Sequence, residues 1–500
     1  MATEASSPRK CLEECTGRPD GPVATLRDVL VRFVAALAVL AVAVTLASAP
    51  HAAPPAAPQY VAPSGSGALF LVSGHGYGHG VGMGQWGAQG YALQGYSYEQ
   101  ILAAYYPGTT PGQTIATSIR VLLAGGKKKL TISSPKPFTV EDGDGIEHTL
   151  PAGKTTFTPN LELAVDGAPK QPLTPPLTFA PAPGSKLTLG RTYRGRIVVD
   201  APQQKLRAIN VLPLEQYLYG VVPAEMPSNW LPAALEAQAV AARSYALAVR
   251  KAGAAFDVYA DGRSQAYLGV SAETPPGRQA VDETAGTVLL YDDTVAETLF
   301  SSSTGGWTQS AADAFASTGR PYLVSVKDPY DTISPYHDWG PVPVTGKTLG
   351  HALGVLGRIV DATVKRNSSR RAKTVRITSL SGGSTRTAVV GGATVASSLG
   401  LRSTWFSVDV LSLQPPSPNP VVTPGTRVTL QGVVRGLRGV VVQKRTSGTL
   451  WKRLRAVVPD PATGAFHFAV KPKATTDYRL ATAQDAAAYV RIRVQTATVR

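Results

Sequence analysis

Residues 221–247 read VVPAEMPSNWLPAALEAQAVAARSYAL, and this stretch decides the architecture. One acidic side chain, Glu225, stands between Pro223 and Pro227, in what reads as a short turn. Behind it, Pro232 suits a first helical position and Gly253 supplies a stop, predicting a helix of about 20 residues and roughly 30 Å. At about 100° per residue, Leu235, Ala239, Ala242, Ala246 and Val249 share one face. Gln238 and Tyr245 lie on one flank of that face, and Glu236 and Arg243 on the other. Small alanines let neighbouring backbone approach, so the helix is expected to be central and packed on several sides. A carboxylate held at the mouth of such a helix loses hydration, which raises its pKa as a general acid requires. By position alone, capping the downstream helix is the better fit for Glu225. Glu236 reads as the ion-pair partner of a nearby base.

Working outward, the chain of 500 residues is longer than one ordinary domain, and its 43% hydrophobic content is that of a globular protein. The net charge of +16 favours an anionic partner: nucleic acid, anionic wall or anionic lipid. Phe33–Ala47 (FVAALAVLAVAVTLA), preceded by Arg27 and Arg32, is too short for the roughly 20 residues of a full span. It fits a signal-peptide core, with Ala47-Ser48-Ala49 as a small-x-small cleavage site. Pro50 disfavours that cut, so the segment reads as either a cleaved signal peptide or an N-terminal membrane anchor, and the protein as exported. The two cysteines, Cys11 and Cys15, precede it, so the exported part carries neither thiol nor disulfide.

Residues 1–50 are thus a tail and signal or anchor segment, and residues 51–67 a Pro/Ala/Ser/Gly linker. Folding begins near Ala68 with a strand-like run, then the glycine-rich GHGYGHGVGMGQWGAQGYA from Gly74 to Ala92. From about 119 to 212, short apolar runs broken by Gly and Pro predict a β-rich insert of antiparallel strands. Strands and turns follow the helix up to residue 410. PPSPNPVVTP lies in a second linker, residues 411–424. Residues 425–500 alternate apolar strands and turns in the pattern of an immunoglobulin-like β-sandwich. From Pro415 onward there are 14 Lys and Arg against 3 Asp, so this module is a candidate for docking on anionic wall polymers.

The run E-M-P followed by E-A-Q-A-V-A-A-R-S-Y-A resembles the core motif of the SpoIID/LytB family, named for stage II sporulation protein D. Phe300, Ser301, Ser303, Gly305, Gly306 and Thr308 match its F-x-S-x-S-G-G-x-T element, and Val375–Val410 resembles its closing part. In that family the L-R-S-T-x-F run is followed directly by G-x-G-H-G-V-G-M-S-Q. Here the glycine-histidine motif stands at the amino-terminal side instead, at Gly76 to Gln85, with Gly84 in place of serine. If the fold is kept, the domain is circularly permuted and Gly67–Gly74 must sit beside Trp405–Val410. The resemblance implies an α+β fold, a SpoIID-like catalytic domain over 68–410 with a central alanine-rich helix. It implies a lytic transglycosylase of peptidoglycan glycan strands, with Glu225 as acid/base and His79, Met83 and Gln85 lining or bracing the cleft. The alternative is a wall-binding protein that enhances an amidase without cutting.

Gln238, Arg243, Tyr245 and Ser303 are the candidates for orienting substrate or Glu225. His75 and His79 form H-x3-H, but glycines at 74, 76, 78, 80 and 82 argue against a helix that would bring two imidazoles to one zinc ion. No metal or organic cofactor is expected, and no nucleic-acid partner. Ser301–Ser303 lack the G-x-S-x-G setting of a nucleophile. Trp86, Trp230, Trp307 and Tyr245 suit either sugar stacking or the core.

Overall fold

The strand Leu69–His75 is apolar on consecutive residues because both its faces are buried. Leu69 and Leu71 enter one core, with Leu411, Leu413, Leu430 and Phe468. Phe70 and Val72 enter another, with Phe406, Val410, Ile359 and Ile377. The computed structural model describes residues 60–63, 67–115, 117–251, 253–315, 319–414 and 420–495. The Phe33–Ala47 segment, both cysteines and most of the 51–67 stretch lie outside them. Among the described residues no helix is long and apolar enough to cross a membrane.

Leu69–His75 is the second strand of a five-stranded antiparallel sheet. The order is Asp338–Thr345, Leu69–His75, Phe406–Gln414, Val428–Arg435 and Ala465–Val470. Gly74 is paired with Phe406 and Leu69 with Leu411, and the His75 N–H donates to the Trp405 carbonyl at 2.9 Å. The adjacency required by a permuted domain is therefore present: the glycine-histidine segment lies against Trp405–Val410, although 330 positions separate them in sequence.

That sheet also changes the picture of the chain's second half. Residues 411–414, read as the start of a linker, complete the strand Phe406–Gln414 and pair with Gln431–Val434. Tyr60–Val61, assigned to the first linker, pair in parallel with Asp485–Ala486. The C-terminal strands thus continue the sheet of the preceding domain, and Pro58–Arg500 is one compact unit. Their second sheet holds Val441–Thr446, Lys452–Ala456, Thr476–Ala481 and Val490–Val494, and it shares an apolar core with Val428–Arg435 and Ala465–Val470.

Residues 118–213 are made largely of short strands. A seven-stranded sheet includes Ser118–Lys127, Leu206–Pro213, Arg196–Asp200, Leu177–Pro181 and Phe138–Glu141, each antiparallel to the next. Phe138, Phe157 and Phe179 are buried in the core, with Phe157 and Phe179 stacked at 5.5 Å. Its strand Leu206–Pro213 runs straight into the helix Leu214–Glu225.

The alanine-rich helix spans Pro232–Ala248, with Pro232 in its first turn and Val249 as its C-cap, short of Gly253. It is buried nearly all round, not on one face: Ala234, Leu235, Ala237 to Ser244 and Ala246 are all covered. The helices Gln85–Leu93, Tyr98–Tyr105, Leu214–Glu225 and Pro275–Glu283 and the strand Thr287–Tyr291 pack against it. Methyl side chains leave room for backbone on every side, which explains so many neighbours around one short rod.

Candidate active site

Glu225 is the last residue of the helix Leu214–Glu225, not a turn residue. Pro223 lies inside the helix, near its end, and its ring packs against Gly277 of the neighbouring helix. Termination comes from Pro227, which forbids helical backbone at the residue before it; Met226 is extended at φ −126°, ψ 147°. The chain therefore leaves the helix immediately after Glu225, whose carbonyl has no intrahelical partner. Gln85 supplies one: its Nε2 donates to the Glu225 carbonyl at 3.1 Å and faces Gln238 Oε1 at 3.5 Å. Glu225 does not cap the downstream helix, whose N-cap is Leu231 and whose Leu231 N–H donates to Gln89 Oε1.

Glu225 is half-buried as a residue, and its Oε1 accepts the Ala266 N–H at 2.5 Å. Burial pushes its pKa up to about 7, against the opposing pull of the Ala266 N–H and the Gln85 side chain. Its place at the negative end of a helix acts in the same direction as burial. Ala266 is held by its neighbour: Gln265 Nε2 donates to the Ala242 carbonyl, and Tyr217 Oη donates to Gln265 Oε1 at 2.9 Å. The charge of Glu225 is felt at the phenols of Tyr217 and Tyr245, both raised chiefly by burial. Gln238 is fully buried, and its Nε2 has no hydrogen-bond partner among the described residues. A protonatable acid thus stands among neutral amides and phenols. Trp86, next to Gln85, and Trp230, downstream of Glu225, meet edge to face at 4.9 Å and are both half-exposed.

The other sequence-derived candidates go elsewhere. Arg243 is fully buried, forked onto Glu215 through Nε (2.9 Å) and Nη2 (2.6 Å), and donates further to the carbonyls of Thr287 and Val281. It orients neither substrate nor Glu225; it ties together the elements around the alanine helix. Among the described residues Glu236 pairs with no base either: burial and a hydrogen bond shared with Glu283 raise its pKa. Ser303 is buried, its Oγ donating to Asp331, which also accepts the N–H groups of Thr304 and Gly305 and pairs with His337 Nδ1. Met83 is buried in the core and braces the Gly-His segment from behind. His79 is half-buried: its Nδ1 accepts the Val81 N–H, its ring lies near Phe315, and burial and then Arg371 lower its pKa to about 4, so it is neutral. His75 turns to Asp338 instead, at 2.6 Å. Among the described residues no group of three or more His, Cys, Asp or Glu side chains could hold a metal ion.

The glycine-histidine segment is a loop that lies along the Ser/Thr-rich element. Met83–Gly84 pair in parallel with Phe300–Ser301, and Tyr77 and Val81 bridge to Ser303 and Gln309. Gly82, at φ +68°, faces the Leu299 carbonyl so closely that a Cβ would collide with it. This contact delivers Gln85, the first residue of the helix Gln85–Leu93, to Glu225.

Residues 202–291, which include Glu225, Gln238 and Ala266, match the family described as SpoIID, Stage II sporulation protein. Over this segment the chain is similar to the SpoIID/LytB family. It is 36% identical over 149 residues to Stage II sporulation protein D of Bacillus subtilis (strain 168), covering 26% of this chain and 42% of that protein. The protein of the same name from Bacillus amyloliquefaciens is 34% identical over 146 residues, again 26% and 42%. The Amidase enhancer of Bacillus subtilis (strain 168) is 39% identical over 115 residues, 23% of this chain and 15% of that protein. The chain therefore spans less than half the length of these curated relatives. No solved structure matches it significantly. Sequence reading of the SpoIID segment missed Ala266 and Gln265, since a backbone N–H carries no residue signature. It also missed Glu215, the partner that occupies Arg243.

Proposed function

We propose that this SpoIID-family chain cleaves the glycan strands of peptidoglycan as a lytic transglycosylase, with Glu225 as the general acid and then the general base. The observation that carries the reading is the half-buried residue Glu225, whose desolvated carboxyl has a pKa of about 7 and is set among neutral side chains. Protonated Glu225 gives its proton to the oxygen that links C1 of muramic acid to the next glucosamine. As that bond breaks, C1 gains oxocarbenium character. The C6 hydroxyl of the same muramic acid closes onto C1 and returns its proton to Glu225. The products are a strand with a 1,6-anhydromuramic end and a strand with a free glucosamine 4-hydroxyl. One carboxyl serves both proton transfers, whereas hydrolysis by a carboxylate pair needs a second acid at a set separation. Gln85 and the Ala266 N–H steady the carboxyl; Gln238 and Tyr245 border it.

On this reading the apolar Phe33–Ala47 segment exports the chain to the cell envelope, and the C-terminal strands form an immunoglobulin-like sandwich. A second reading rests on the likeness to an amidase enhancer: the chain binds strands and assists an amidase without cutting. Incubation of purified protein with glycan strands, bare or bearing peptide stems, separates the two by mass spectrometry. Anhydromuramic ends support the enzyme; strand binding without new ends supports the enhancer.

The acid form of Glu225 does the first step, so kcat/KM is full well below pH 7 and falls as the pH rises through about 7, approaching tenfold per unit beyond it. A rate profile flat from pH 5 to pH 9 contradicts the role. Trp86 and Trp230 offer aromatic faces to sugar C–H groups beside the acid. Replacing Trp86 by Ala raises KM roughly tenfold, the loss of about 1–2 kcal/mol of anchoring contact, with little change in kcat. Steady-state kinetics on strands of defined length tell this from a loss of chemistry, which would lower kcat alone.

A further inference from the structure

The outer face of the C-terminal sheet carries two rows of polar and charged residues with more guanidiniums than carboxylates. Pairing sets Arg453, Gln443 and Arg479 side by side across three strands, and Arg445, Asp477 and Arg491 in the next row, two residues on. Between these residues the core-facing positions are Val442, Leu480, Tyr478 and Ile492. The face therefore presents the exposed guanidiniums of Arg453 and Arg491 and the half-buried one of Arg445, with Arg479 and the Asp477 carboxylate buried beneath them.

Those guanidiniums are held in place. Arg445 and Arg479 lie over the Trp451 ring at 4.5 and 4.2 Å, and Arg445 and Arg491 over Tyr489 at 5.2 and 5.5 Å. Asp477, itself buried, accepts from Arg445 Nε and Arg491 Nε and so orients both. Arg479 is only 6% exposed and donates Nε to Gln443 Oε1, with no carboxylate partner among the described residues. Burial, and then the charge of Arg445, lower its pKa to about 10. Positive charge is thus crowded and ordered here, an arrangement that an anion relieves.

We propose that this face binds a phosphodiester-linked, linear polyanion of the cell envelope, and so holds the protein on the wall. The location rests on the function proposed above; the chemistry rests on the face itself. Neighbouring strands lie about 4.7–4.9 Å apart and successive same-face residues about 6.4–6.8 Å apart, a flat grid on which an extended chain of phosphates meets one guanidinium after another. Nucleic acid suits it less. Single-stranded binders offer open rings for bases to stack on, and here arginines already cover the rings of Trp451 and Tyr489.

The test uses the full chain with poly(glycerol phosphate), a single-stranded DNA of equal charge, and vesicles containing anionic lipid. Arg493 follows Arg491 by two residues on the strand Val490–Val494 and so shares this face; Arg453 and Arg493 are exposed and take no part in the Asp477 pairs, so R453Q/R493Q leaves the folded module intact. Binding of poly(glycerol phosphate) should weaken roughly thirtyfold in the double variant at low salt, as expected for losing two surface cations. The salt slope should shrink by about 0.7–0.9 per lost contact, by analogy with nucleic-acid polyanions. The double variant should still form anhydromuramic ends on soluble strands at the wild-type rate. Equal binding by wild type and variant, tighter binding of the DNA or the vesicles, or no binding of poly(glycerol phosphate) at low salt each overturns the proposal. Because Glu225→Gln should bind the polymer normally, failure of the cleavage assay and failure of docking are read separately.

Discussion

If Glu225 is the acid of the proposed reaction, Glu225→Gln should remove glycan cleavage, lowering kcat/KM by at least about 10²–10⁴-fold, and leave the protein folded. Gln keeps the size of the side chain and an oxygen to accept the Ala266 N–H, but it has no proton of the right acidity to give. The stability of the variant tests the same carboxyl independently. Glu225 titrates near 7 in the folded protein, against about 4.3 in an unfolded chain. Between those values the folded state holds a proton that the unfolded state has released. Wild-type stability therefore falls as the pH rises through that window, and the penalty is complete above about 7. Gln carries no such penalty. Urea midpoints of the two proteins should agree at pH 4 and separate in favour of the variant at pH 8. A variant that still makes anhydromuramic ends removes Glu225 from the mechanism. A variant with the same pH dependence of stability as wild type shows that the carboxyl is not desolvated.

Much of this site could be read from residues 221–247, because the signals are local. A proline at the first turn and a run of alanines specify a buried helix whatever surrounds it, and only its last turn ended early, at Val249. The setting of Glu225 was harder to read. Pro223 looks like part of a turn, yet the helix Leu214–Glu225 absorbs it in its final turn, where one lost hydrogen bond is offset by packing against Gly277. The acid therefore ends one helix and does not begin the next. The pairing of Leu69–His75 with Phe406–Gln414 was legible only through the displaced glycine-histidine motif, since no local pattern announces a strand partner so far along the chain. The continuous sheet linking that strand to the C-terminal module was not legible. PPSPNP suggests a linker, but nothing in its composition says that the strand before it runs on to Gln414.

Arg243 shows where helical-wheel reasoning fails, and it carries the largest expected loss of stability. Glu236 shares a flank with it seven residues away, but that is about 10.5 Å along a helix, too far for an ion pair. The true partner, Glu215, comes from the helix that ends in Glu225, and the fork also takes up carbonyls at Thr287 and Val281. Arg243→Met fills much of the same space but deprives the Glu215 carboxylate of its counter-ion and takes one donor from each of those carbonyls. Breaking a buried pair from one side costs about 3–5 kcal/mol. Glu215 is 31% exposed and can regain some water, which places the loss near the lower end. The urea midpoint should fall accordingly, with the slope of the transition unchanged. Below that midpoint, the folded variant should bind and cleave strands with the wild-type KM, because Arg243 meets structural groups and no open surface. A raised KM in a variant of unaltered stability would return Arg243 to the substrate. Arg243→Lys gives a graded check: it restores the charge without the planar fork, so it should recover part of the stability and leave KM where it was.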